Sequence, residues 1–221
     1  MSDINKYIKH EKVQLLPYEY FVDISTPKNK NKFIKRIEKL VRSSNEYRDY
    51  IAFLKEECDL SRCAFLSNVD LRQNKHFKIE FHHEPFTLYD ICSIVVSKFI
   101  NSGERVNSLL IADEVMELHY ENLVGLIPLN SSFHEIYHNS DKLIIPLNCV
   151  YGNYVELLNK YEDVMDEELY DQLLEKLKLK IEQTKSITPE TYDAFTKQFT
   201  YYDVEGQEKV GKMPMETNKV V

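Results

Sequence analysis

H-F-K-I-E-F-H-H (76–83) and E-N-L-V-G-L-I-P-L-N-S-S-F-H-E-I-Y-H-N (121–139) bound the stretch on which the reading of this chain turns. Six of its seven histidines fall between His76 and Asn139, and only His10 lies outside. Histidine binds metals and titrates near neutral pH, so this clustering marks a candidate site. The first segment alternates cleanly, with Phe77, Ile79 and Phe81 on one face and His76, Lys78 and Glu80 on the other. That period of two predicts a strand running into His82-His83 and halted by Glu84-Pro85. In the second segment, Asn130, Ser131 and Ser132 are all good N-caps, predicting a helix of about two turns that ends at Asn139-Ser140.

Outward from this centre, the chain reads as mostly helical. Thr87 and Asp90 make a capping box for a helix over 88–101, with Leu88, Ile91, Cys92, Val95, Phe99 and Ile100 as its apolar stripe. A second helix is expected over about 108–118, followed by a loop or short strand over 121–129. Upstream, Ser25, Thr26 and Pro27 signal a helix start, and Phe33, Ile34, Ile37, Leu40 and Val41 have helical spacing over 30–43. A further helix covers roughly 45–57. Short strands are expected within 11–25, at 63–69 and at 143–147. Downstream, helices are expected from Gly152-Asn153 to Tyr161, over 166–184, and from Thr188 to about Phe199. A polar tail follows from about 203.

With 221 residues, 43% of them hydrophobic, the chain can bury a sizeable core. Its heavy use of Lys, Asn, Ile and Tyr suggests an AT-rich coding source, a low-GC bacterium or its phage. The net charge of −8 argues against a protein coated in nucleic acid, but the charge is segregated. Residues 28–42 carry seven Lys/Arg against Glu38 alone, so Lys32, Lys35, Arg36 and Lys39 are candidate phosphate contacts, or else an ordinary solvated helix face. Residues 162–171 are almost purely acidic, as favours a helix N-terminus. Cysteines 58, 63, 92 and 149 form no C-x-x-C and read as free thiols in a reducing compartment. Without a signal-peptide pattern or a long apolar run, the expectation is an intracellular protein in the cytoplasm of a bacterial or phage-infected cell, with no membrane partner.

His82-His83 at a strand end, Asn122 beyond an intervening segment, and His134 in a short capped helix together resemble the HNH endonucleases over residues 82–139. The resemblance implies a ββα-metal core and hydrolysis of DNA phosphodiester bonds. In it, His83 is the general base and Asn122 orients it. His82 and His134 hold a divalent metal (Mg, Mn or Zn), and His138, one turn on, is a further ligand or a phosphate contact. DNA is the implied partner. The separation from His83 to Asn122 is longer than in that family, Asn130 is an alternative central Asn, and the family's zinc-binding cysteines are absent.

Two other readings stand beside it. His134-Glu135-Ile136-Tyr137-His138 matches H-E-x-x-H, the zincin metalloprotease pattern, with Glu156 or Glu162 as third ligand. Alternatively the chain is a catalytically silent structural or protein-interaction module that meets a partner through its C-terminal helices. The expected fold is α+β: a small antiparallel sheet with several packed helices. Residues 1–150 form an α+β domain around a core at about 76–139, 151–200 a helical C-terminal region, and 201–221 a flexible tail.

Overall fold

A computed structural model of the chain describes residues 24–65, 69–72, 78–104, 106–139 and 144–187, together with the backbone of two strands at 200–202 and 208–210. The helices are α1 (Pro27–Ser43), α2 (Asn45–Glu56), α3 (Leu88–Asn101), α4 (Ser108–Tyr120), α5 (Ser131–Asn139), α6 (Tyr154–Tyr161) and α7 (Glu167–Ser186). Strands β1 (Ile79–His83) and β2 (Leu126–Asn130) pair antiparallel, as do β3 (Thr200–Tyr202) and β4 (Glu208–Val210). The coarse α+β expectation is met, with helix predominating. The strand expected within 11–25 and the helix expected over 188–199 lie outside the described residues. Among the described residues, no helix is long and apolar enough to cross a membrane.

The chain packs as two compact units, each assembled from three separate stretches. The first takes α1, α2, α3, α4, α6 and the opening turns of α7. Its centre is α3, whose capping box forms as the sequence predicts. Ile91, Cys92, Ile94, Val95 and Val96 are all fully enclosed, so α3 is buried on most of its circumference rather than along one stripe. Ile100, expected in the stripe, is instead 37% exposed at the helix end. α1 lays Phe33, Ile34, Ile37 and Val41 against α3 and α4, leaving Lys32, Lys35, Arg36 and Lys39 in solvent. Thr26 caps it, accepting from the Asn29 N–H, and Pro27 opens it.

Asn122 falls in the turn that ends α4. It adopts a left-handed φ of 60°, and its N–H and that of Leu123 return to the carbonyls of His119 and Leu118. This satisfies the last carbonyls of the helix, and Asn tolerates the left-handed conformation better than most residues. One of the clustered histidines also belongs here. His119 is fully buried, with Nδ1 2.7 Å from the Val115 carbonyl and its ring set edge-on to Tyr47 and Tyr50.

The second unit holds β1, β2, α5 and the later part of α7. β1 and β2 are in register from Ile79 opposite Asn130 to His83 opposite Leu126. Pro128 lacks an N–H, but its carbonyl accepts from Ala64, and Leu126 exchanges both backbone bonds with Tyr151. The outer edge of β2 is therefore occupied. Of the strand expected over 63–69, residues 66–68 lie outside the described residues and the others carry no strand; the Cys63 N–H donates to Val69 and that of Leu71 to Ser61. Instead of the strand expected at 143–147, a single 3-10 turn forms over Leu147–Cys149. The polar stretch beyond 203, expected as a tail, contributes β4.

Burial holds the His119 imidazole down to about 4, so it is neutral when folded, whereas an exposed imidazole takes a proton near pH 6.5. The unfolded chain then binds the extra proton. Stability falls as pH drops from about 6.5 toward 4, by roughly 3 kcal/mol. In urea unfolding at pH 7 and pH 4, His119→Phe should lose less stability between the two than the wild type by about that amount. An equal loss would show that His119 is not buried in neutral form.

Candidate functional site

β1 carries two faces at its C-terminal end. By the alternation of a strand, Ile79, Phe81 and His83 point one way, while Glu80, His82 and Glu84 point the other. His83 is 4% exposed and sits on the face that carries the apolar residues. The opposite face meets α5, which packs against both strands. Asn130 caps α5 by accepting from the Phe133 N–H at 3.0 Å, so this is its role rather than that of a catalytic Asn. Phe133 anchors the helix by stacking on Phe65 with ring centroids 5.3 Å apart.

This docking brings His134 and His138, one turn apart on α5, over His82. The His82 ring lies 5.3 Å from His134, 5.1 Å from His138 and 4.5 Å from Tyr137, centre to centre. The facing nitrogens of His134 and His138, both Nε2, are 3.1 Å apart. One nitrogen from each of the three imidazoles lies within 4.8 Å of the others. Of the residues singled out in the sequence, His82, His134 and His138 thus come together. His83 is on the other strand face, and Asn122 is in the other unit, as are Lys32, Lys35, Arg36 and Lys39 of α1. Glu156 and Glu162, offered as third ligand of a zincin, also belong to that other unit. The third member beside His134 and His138 is His82.

Five further residues complete the cluster. Glu80 accepts from His134 Nδ1 at 2.6 Å and pairs with Lys78 at 2.5 Å. The Lys78 ammonium, and after it His134, hold the Glu80 carboxyl below its ordinary range. Glu84 is almost wholly buried: Tyr137 donates to its Oε2 at 2.7 Å, Lys180 of α7 lies 2.7 Å from its Oε1, and His82 Nε2 is 3.6 Å away. Burial alone would raise the Glu84 carboxyl, but His82, Lys180 and Tyr137 together outweigh it and keep it low. Burial, reinforced by the Glu84 charge, pushes the Tyr137 phenol upward. Glu80 and Glu84 were legible in principle, since E-F-H-H-E places them at two-residue steps from His82. Lys180, nearly a hundred positions along the chain, carries no such signal.

In the first unit, a cleft of about 320 Å³ is lined by Lys98, Glu114, Glu117, Lys160 and Tyr161. Most of its charged groups are matched: Lys98 pairs with Glu114 at 2.8 Å, Tyr161 donates to Glu114 at 2.5 Å, and Lys160 pairs with Glu121.

Fold and site together define a small, helix-rich protein whose polar cluster ties a strand to two helices. A family model of the bacteriophage G278-like virion proteins matches residues 3–209, and the chain belongs to that family. No curated protein and no solved structure matches it. The family match overturns the endonuclease reading drawn from His82-His83, Asn122 and His134, and with it the hydrolase and DNA-binding roles. It equally displaces the zincin reading of His134-Glu135-x-x-His138. The physical reason the motif misleads is that a His-His strand end facing an H-x-x-x-H helix specifies which side chains meet, not what they do.

Because Glu84 is buried with a charge, removing its cation leaves that charge uncompensated. Lys180→Met should lower stability in urea unfolding by about 3 kcal/mol, and Lys180→Met with Glu84→Gln should recover most of the loss. A neutral single variant would show that the pair is solvated and holds nothing together.

Proposed function

We propose that the chain is a structural component of the phage particle and works by protein–protein contact, without catalysing a reaction. The family match over residues 3–209 carries this reading. The segregation of charge supports it. Lys32, Lys35, Arg36 and Lys39 form an exposed cationic face on α1, while Glu162, Asp163, Glu167 and Glu168 crowd the start of α7. Such faces give a subunit orientation and speed its encounter with an oppositely charged neighbour. The α1 face would seat an acidic surface of a neighbouring virion protein, and α6–α7 would offer a second contact of opposite sign. Assembly would take place in the cytoplasm of the infected bacterium.

The test is complementation of a phage lacking this gene with the chain carrying Lys32→Glu, Lys35→Glu, Arg36→Glu and Lys39→Glu. All four side chains are exposed, so the fold should be kept, with an unchanged circular dichroism spectrum. Incorporation into purified particles, measured by quantitative mass spectrometry, should drop about tenfold or more. Wild-type incorporation by the folded variant would remove α1 as the contact.

A further inference from the structure

The three imidazoles of the second unit form a closed set that the contact role does not use. We infer that His82, His134 and His138 are a transition-metal site of the zinc class, whose ion fastens the short helix α5 to strand β1. The inference rests on side-chain geometry and is independent of the particle contacts proposed above.

Distances come first. Two nitrogens at about 2.0–2.1 Å from one tetrahedral zinc ion lie roughly 3.4 Å apart. The His134 and His138 Nε2 atoms are already 3.1 Å apart, close to that edge. All three ligand atoms lie within 4.8 Å of one another, so the remaining edges close with movements of about an ångström and a half, within reach of side-chain torsions. The spacing of four on α5 puts His134 and His138 on one face, and the His82 ring lies 5.3 and 5.1 Å from theirs.

The His134 tautomer is also set for metal binding. Glu80 accepts from His134 Nδ1 at 2.6 Å, which places the proton on that nitrogen and leaves Nε2 as the lone-pair donor facing the other two rings. A carboxylate behind a ligating imidazole is the usual support of a metal site, raising the basicity of the ligand and fixing its ring. Glu84, held by Tyr137 and Lys180, supplies a second carboxylate 3.6 Å from His82 Nε2.

The ligand chemistry selects the metal. Three neutral imidazoles suit zinc and its first-row neighbours, whereas magnesium and calcium prefer oxygen. What the ion contributes is also clear. α5 has only nine residues, too few to be stable from its own hydrogen bonds, and Phe133 is its sole fully buried side chain. A metal bridging its second and last turns to β1 adds to the hold that Tyr137 already has on Glu84 at 2.7 Å.

The experiment uses the full chain without any affinity tag, stripped of metal with a chelator. Cobalt(II) is titrated in by visible absorption and then displaced by zinc. One equivalent should give the d–d bands of a four-coordinate nitrogen site, with no thiolate charge-transfer band, and zinc at a hundredfold excess over its Kd should raise Tm by roughly 5–10 °C. His138 is exposed, so His138→Gln should keep the far-ultraviolet circular dichroism spectrum yet abolish the cobalt bands and the Tm shift. Glu80→Gln, a positioning change, should keep the one-to-one stoichiometry while weakening affinity about 10–100-fold. The inference is overturned by absence of saturable binding, by a thiolate band that moves the metal to a cysteine, or by bands that survive in His138→Gln.

Discussion

The constraint on which the second unit depends is the burial of Glu84. A carboxylate with so little solvent must be matched by cations and donors, or it forces the chain to protonate it or to unfold around it. Lys180, Tyr137 and His82 provide that match. They come from α7, α5 and β1, so satisfying a single charge brings together three elements separated by up to about a hundred positions in sequence. Apolar packing, with Phe65 on Phe133 and Leu126, Ile127 and Leu129 enclosed beneath, supplies bulk stability without direction. The polar cluster supplies the direction: it fixes which face of α5 meets β1. The alignment of the three histidines is a consequence of the same docking.

The first unit follows a different logic. Its centre, α3, is apolar nearly all round, and the helices about it bury one stripe each and leave charge outside. Polar side chains there act locally: Thr87 and Asp90 start α3, and Asn122 turns the chain out of α4. Lys30 and Asn101 both reach the Asp166 carboxylate, and the Asp166 N–H donates to the Ser97 hydroxyl oxygen at 2.8 Å. None of these groups is gathered into a reactive set. One unit thus presents charged helical faces, and the other buries a polar network.

Local chemistry was legible in the sequence where a short-range rule decides the structure. Pro27 after Thr26, the Thr87–Asp90 box and the Asn130 cap announced α1, α3 and α5, and the alternation before His82 announced β1. What escaped was set by distant partners. Residues 63–69 have strand-like composition, yet among the described residues of that stretch only Ala64 bonds to β2, through the Pro128 carbonyl. Ile100 reads as a core residue by its place in the α3 stripe but lies at the helix end, 37% exposed. The histidine pattern was legible as geometry and misread as chemistry. His82, His134 and His138 do meet, but the resemblance also required His83 and Asn122, which lie on the far strand face and at a helix end of the other unit. Nothing in residue spacing distinguishes a hydrolytic cluster from one that holds elements together.

As a member of a virion-protein family, this chain is proposed to be a building block of the phage particle. The most direct measurement is absolute quantification of the chain by mass spectrometry in density-banded, nuclease-treated particles, against a major capsid protein as internal standard. A building block should show a fixed, reproducible copy number per particle that survives high-salt washing. Recovery of the chain only from the soluble fraction of the lysate, with none in intact particles, would contradict it.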